Sequence, residues 1–248
     1  MTNNYETRQS SCYFLDIRNS TNIIRTISLK SDKIRGSQSE NTADAKKIIV
    51  HAEFMLDIHT FLFEKLKKLD INDYYFNNTG DGHVCMIWNK THAWTILNII
   101  CSMCSYLEKR IKEYYENHLK QWEEEYHKQL SIGYGIGMHT GECVLTEEKI
   151  TNSKFAYGIV LNTAARTESF TKSFPKIDFI FTKFFKSRLE SQFKLLKPQL
   201  KNKWKDYEKL ITAVSEFPID TKDGKSKGHL LYTIDKKNRR YFIHNYET

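Results

Sequence analysis

Phe14-Leu15-Asp16-Ile17-Arg18-Asn19-Ser20-Thr21 decides how this chain is read: an apolar run ends on a carboxylate and gives way at once to small polar residues. Tyr13 to Ile17 reads as a buried strand, and Ile17 to Thr21 as the opening of a helix. A second aspartate stands in Thr79-Gly80-Asp81-Gly82, between the runs Asp73 to Asn77 and Val84 to Trp88. Those runs read as a hairpin, with glycine permitting the tight turn. Further along come Gly135-Ile136-Gly137-Met138-His139-Thr140-Gly141-Glu142 and Gly158-Ile159-Val160-Leu161-Asn162-Thr163-Ala164-Ala165-Arg166. The last sets Asn162 and Arg166 four apart, on one face of a helix. Two carboxylates close together at a sheet edge cannot both stay ionised unless a cation lies between them. Oxygen donors of this kind suit Mg²⁺ or Mn²⁺. Two such carboxylates, an amide and a guanidinium make a set suited to chemistry at phosphorus.

The bulk numbers bound this reading. The chain has 248 residues, 40% of them apolar, which suits one domain with a real core. Lys plus Arg number 38 against 30 Asp plus Glu, a formal charge of +8. That surface favours polyanions, nucleotides included, although Lys-rich helices are also simply soluble. No stretch approaches the roughly 20 apolar residues of a membrane span. Met1 to Ser11 is polar, without a signal-peptide core. The five cysteines are scattered through apolar segments and read as reduced thiols of a cytoplasmic protein. Cys101 and Cys104 have CxxC spacing inside an apolar helical pattern, so they read as core and not as zinc ligands.

The expected order of elements alternates strands and helices. Ser31 to Asp44 is polar and reads as a loop. Ala45 to Leu69 carries apolar residues at helical spacing, including Ile48, Ile49, Met55, Leu56, Leu62 and Leu66. Thr91 to about Lys128 reads as a long helix, apolar and then charged. Its run Glu113 to His127 is either solvated or packs on a partner. Leu130 to His139 reads as a strand, and Glu142 to Leu145 as the start of the next. Gly158 to Thr171 is a helix, Ile177 to Phe181 a strand, Lys183 to Leu196 a helix and His229 to Ile234 a last strand. The tail from Asp235 is either loose or a closing β-hairpin arm. No second domain is visible: a core of about residues 11–235 carries a basic tail, 236–248. The whole reads as α+β, a mostly antiparallel central sheet with helices packed on it.

The four quoted segments, in that order, resemble the catalytic domain of the class III nucleotidyl cyclases, over roughly Tyr13 to Ile234. Any one of them alone says little. The resemblance implies a ferredoxin-like palm core. It also implies two divalent ions, Mn²⁺ or Mg²⁺, on Asp16, Asp81 and the Ile17 carbonyl. Backbone N–H groups about Asn19, Ser20 and Thr21 would cradle a triphosphate, and Lys227 resembles the phosphate-binding lysine, with Lys222 and Lys225 beside it. Asn162 would orient the ribose, and Arg166 offset charge on the α-phosphate. The aspartates of one subunit serve the Asn/Arg pair of the other, so the resemblance implies a head-to-tail homodimer. His139 reads as packing and not as a base, and His51 and His59 as an ordinary helix face.

The positions that choose the base depart from the familiar members. Three residues before Gly80, adenylyl cyclases place Lys and guanylyl cyclases Glu; here stands Asn77. Three before Gly158, where those enzymes place Asp, Thr or a small residue, stands Phe155. Asn both donates and accepts, as a pyrimidine edge requires. Phe155 either packs on the base or belongs to the core. These departures resemble the stand-alone Pycsar cyclases of bacterial antiphage defence, which make cyclic UMP or cyclic CMP. The expected activity is therefore conversion of a pyrimidine triphosphate, UTP ahead of CTP, to a 3′,5′-cyclic nucleotide and diphosphate. A purine cyclase and an inert nucleotide-binding homologue are the alternatives. No nucleic-acid-reading motif accompanies the positive charge, so neither nucleic acid nor membrane is an expected partner.

Overall fold

The computed structural model describes residues 5–33, 38–148, 153–196, 204–219 and 227–243. Its strands are β1 (Tyr5–Arg18), β2 (Tyr74–Asn78), β3 (Gly82–Ile87), β4 (Gly133–Glu148), β5 (Ser153–Tyr157), β6 (Phe179–Thr182), β7 (Ile211–Ile219) and β8 (Lys227–Ile234). They form one sheet in the order β2-β3-β1-β4-β6-β8-β7, with β5 added on β4. All pairings are antiparallel except β4 with β6. The helices are α1 (Ser20–Lys33), α2 (Gln38–Lys68), α3 (His92–Tyr114), α4 (Lys120–Tyr126), α5 (Ile159–Phe170), α6 (Lys183–Leu196), α7 (Trp204–Glu208) and α8 (Arg240–Ile243). The α+β reading holds.

Strand alternation sorts β1 into two faces. Tyr13, Leu15 and Ile17 are fully buried in the larger core, with Phe54, Ile58 and Leu62 of α2 and Ile96, Ile100 and Met103 of α3. Cys12, on the other face, joins Met86, Cys143, Val160 and Ala164 under α5, with Phe14 packed against them. Burial of these side chains stabilises the fold by about 25 cal/mol per Å² of apolar surface removed from water. α6 is tied to α3 by Gln192, whose Oε1 accepts the N–H groups of Ala93 and Trp94 (3.1 and 3.3 Å), donors that a helix start leaves open.

Several expectations need correction. Within Ser31 to Asp44, α1 continues to Lys33 and α2 begins at Gln38, with 34–37 outside the described residues. A long helix propagates cheaply once nucleated, and Glu40, Ala43 and Ala45 favour it. On α2, Ile49 and Leu56 are exposed, while Phe54 and Ile58 take the core positions. Leu130 to Leu145 is not two strands: β4 runs unbroken through Gly141, because it pairs with β1 along its length. β5, α7 and β7 have no counterpart in the sequence reading. Past α3 the backbone takes a π turn, Tyr115–Leu119, and the charged run proves amphipathic, with Leu119 and Trp122 buried.

The tail is neither loose nor a hairpin arm over its described part. Phe242 of α8 is fully buried, its ring stacked 5.9 Å from Trp94. Arg239, 5% exposed, bonds Asp178 (2.5 Å) and Glu108 (3.3 Å). Residues 244–248 lie outside the described part. Cys101 and Cys104 are buried in α3, as expected of core residues.

Candidate functional site

The β2–β3 turn folds over the end of β1. Gly80, at φ 94°, adopts a conformation that favours glycine. Gly82 lies opposite Asp16 in the ladder, where a Cβ would run into the Leu15 backbone. The Ile17 N–H donates to the Asp81 carbonyl (2.8 Å). Asp16 and Asp81 are thereby carried on directly joined segments, both partly exposed.

Three groups surround Asp16 that the sequence reading missed. Lys172 Nζ stands 3.3 Å from Asp16 Oδ2. Arg18 donates to Thr171 Oγ1 (2.6 Å), while its Nε is buried and unpartnered. Glu168, 4% exposed, has its carboxyl pushed up to about 7, first by burial and then by Asp16, with Lys172 and Arg18 opposing. Gly135 leaves the room for this cluster, since a Cβ there would meet Thr171, Glu168 and Arg18. No motif marks these residues, because they meet only when α5 packs on β4.

The α1 start is tightly engaged. Asn19 sits at φ 65°, and its amide donates to Ser131 (2.8 Å). Ser20 is buried, its hydroxyl 2.8 Å from His51 Nε2, and His51 Nδ1 lies 2.8 Å from the Tyr114 hydroxyl. Thr21 donates to Asp81 Oδ2 (2.8 Å). These three side chains are thus committed within the protein, leaving the backbone as their offer to a phosphate. His51 is a tie between α1, α2 and α3, and burial lowers its pKa, with Asp81 opposing. His139 bonds Thr182 (2.8 Å), the structural role expected of it.

α5 presses so closely on β4 that a Cβ on Gly137 would collide with the backbone of Ala164, Thr167 and Glu168. Its buried face carries Val160, Thr163, Ala164, Thr167 and Glu168. Asn162 and Arg166 are exposed on the other side of the helix, turned from the sheet that carries Asp16. The structure therefore sets the backbones of Asp16 and Asp81 side by side, and does not bring Asn162 and Arg166 to them within one chain. Asn77 and Phe155 do converge: both line a cavity of ≈ 770 Å³ between β2 and β5. Phe155 is 38% exposed, so it is not core. Lys227 begins β8, opposite Ile219; Lys222 and Lys225 lie outside the described residues.

Two carboxylates beside the Ile17 backbone fit a hard divalent cation, and the Lys172 ammonium against Asp16 marks a place that calls for positive charge. Among the described residues, no three or more His, Cys, Asp or Glu gather to hold a metal by themselves. Other ligands would have to come from backbone, water or a phosphate. No described helix is long and apolar enough to cross a membrane.

The arrangement of sheet and helices is that of the class III adenylyl and guanylyl cyclase catalytic domains. The adenylyl cyclase CyaB from P. aeruginosa is similar at a TM-score of 0.56 and 11% identity, over 93% of this chain and 95% of that one. The guanylyl cyclase Cya2 is similar at 0.57 and 10%, over 94% of each chain. Adenylate cyclases from Trypanosoma brucei are similar at 0.52 and 14%, over 93% of this chain and 90% of that one. No family model and no curated protein matches the sequence.

Proposed function

We propose that this chain is a nucleotide cyclase that converts a nucleoside triphosphate, preferentially a pyrimidine one, to its 3′,5′-cyclic monophosphate and diphosphate. The observation that carries the reading is the pairing of Asp16 and Asp81 across the Ile17–Asp81 hydrogen bond. In the reaction the ribose 3′-oxygen bonds to the α-phosphorus, its proton leaves to solvent, and the bond from that phosphorus to diphosphate breaks. Divalent cations held by Asp16, Asp81 and the Ile17 carbonyl would lower the pKa of the 3′-hydroxyl and neutralise the triphosphate. The N–H groups at the start of α1, and Lys227, hold the phosphates. Asn162 orients the ribose, and Arg166 offsets the charge that grows on the α-phosphate.

The site is completed by a second copy of the chain. Supporting this, Asn162 and Arg166 face away from their own aspartates. An exposed apolar strip adjoins them: Tyr157 and Ile159 are 57% and 78% exposed. Asn77 and Phe155 frame the base, and their departure from the purine-reading residues supports a pyrimidine base and, through the resemblance to the Pycsar cyclases, a role in antiphage signalling; UTP is taken ahead of CTP. A purine triphosphate is the second reading, suggested by the adenylyl and guanylyl cyclases among the structural neighbours.

Mixing Asp16→Ala with Arg166→Ala tests the shared site. Each variant alone is inactive. In a mixed dimer one site collects both lesions and the other collects neither. Random reassortment makes half the dimers mixed, so activity returns to about a quarter of wild type. No recovery, with subunit exchange verified, places each site within a single chain.

A further inference from the structure

The cavity between β2 and β5 is walled by aromatic rings, Tyr75, Phe76 and Phe155 among them, by the amide Asn77, and by a single charged residue among the described ones, Lys154. Both strands are edges. Among the described residues, β2 borders only β3, and β5 only β4. Lys154 and Phe155 are neighbours on β5 whose side chains leave opposite faces of the strand. Both still border this cavity, as residues of an unpaired edge can.

We propose that Lys154 is a specificity-determining residue of the base site, selecting bases with a carbonyl at the edge remote from the sugar. That means uracil over cytosine and, among purines, guanine over adenine. The inference rests on the assignment of Asn77 and Phe155 to the base. The aromatic walls hold any planar ring, since every base has a π-face, and so add affinity without choice. Asn77 both donates and accepts, so it meets N3–H of uracil and N3 of cytosine equally well. Lys154 has three N–H donors and no acceptor. It pairs with O4 of uracil, but meets the N4 amino group of cytosine donor against donor. The O2 carbonyl common to both pyrimidines lies next to the glycosidic bond, on the sugar side, and offers no distinction. Asn72 and the hydroxyls of Tyr74 and Tyr75 also border the cavity and, like Asn77, both donate and accept, so among its polar residues the choice falls to Lys154. A site built to bond one polar group rejects the analogue that lacks it by about tenfold to a hundredfold for a single partly exposed pair.

The test gives the full chain equimolar UTP, CTP, GTP and ATP with Mn²⁺, and quantifies each cyclic product by mass spectrometry. Wild type is compared with Lys154→Met and Lys154→Glu. Lys154 is exposed, and circular dichroism verifies the fold of each variant; Lys154→Met serves alone if the acidic variant unfolds. The wild type is expected to favour UTP over CTP by about tenfold or more. Lys154→Met brings the two within about threefold, and Lys154→Glu, an acceptor, reverses the order. Variants that keep the wild-type UTP to CTP ratio, or a wild type that prefers CTP, overturn the role of Lys154 and leave the cyclase reading standing. A wild type that makes no cyclic product from any of the four overturns the cyclase reading, and this inference with it.

Discussion

Replacing Glu168 by Gln stabilises the metal-free protein, and does so more as pH rises. Glu168 is buried beside Asp16, and its carboxyl is pushed up from an ordinary 4.5 to about 7. The folded state therefore binds this proton more tightly than the unfolded chain. Stability from this group is fully present below about pH 4.5, falls between there and about 7, and is lost above. At about 1.4 kcal/mol for each pH unit between the two values, the ionised carboxylate costs the folded state about 3 kcal/mol at pH 8. At pH 5 the cost is under about 1 kcal/mol, because the folded protein keeps the proton. Gln has the same shape and no charge, and still accepts the Thr171 hydroxyl bond seen at 3.4 Å. The assay is urea unfolding in EDTA at pH 5 and pH 8, comparing the two proteins at each. With a denaturant slope of about 3 kcal/mol per M for a chain of this size, Glu168→Gln raises the midpoint at pH 8 by about 1 M and at pH 5 by much less. Equal pH dependence in the two proteins refutes the reasoning, as does a Gln variant less stable at pH 8. Either result means that Lys172 and Arg18 already neutralise the site.

Two further outcomes follow from the same geometry. Asp81→Ala, and likewise Asp16→Ala, abolishes cyclic product while the circular dichroism melt holds within a few degrees, since both carboxylates are partly exposed and a partly exposed ion pair such as Lys172–Asp16 contributes only about 1 kcal/mol or less; near-normal turnover by folded Asp81→Ala removes the metal assignment. Phe242→Ala costs about 3–5 kcal/mol of stability, because the ring is fully buried against Trp94. A change below about 1 kcal/mol in urea unfolding would show that α8 is not part of the folded core.

The architecture was legible where periodicity and punctuation agree. The β2–β3 hairpin, α5 and α6 were marked by glycine or by helical spacing, and the structure reproduces them within a few residues; β1 was found at its apolar end, Tyr13 to Ile17, but starts eight residues earlier, at Tyr5, where its residues are polar. β5 and β7 were missed because Lys154 and Glu216 interrupt their apolar pattern, as edge strands allow. The tail, read as loose or as a closing β-hairpin arm, misled because its basic residues Lys236, Lys237 and Arg239 carry no sign of burial. Arg239 is instead buried against Asp178 and Glu108, which stand far away in sequence.

The same division runs through the site. Asp16 and Asp81 could be placed on adjoining segments from sequence, since a hairpin returns the chain to the strand it left. Glu168, Lys172 and Arg18 could not, because no local pattern announces that α5 will lie within touching distance of Gly137. Lys154 was hidden for a related reason: it borders the cavity of Asn77 only once β5 and β2 face each other in space.

The central claim is that this chain cyclises a nucleoside triphosphate. The most direct measurement incubates purified protein with Mn²⁺ and each of ATP, GTP, CTP and UTP in turn, and identifies every phosphorus-containing product. A 3′,5′-cyclic nucleotide and diphosphate are expected in equal amounts, most rapidly from UTP, and neither from Asp81→Ala. Release of inorganic phosphate with a nucleoside diphosphate, or no change in any of the four, would contradict it.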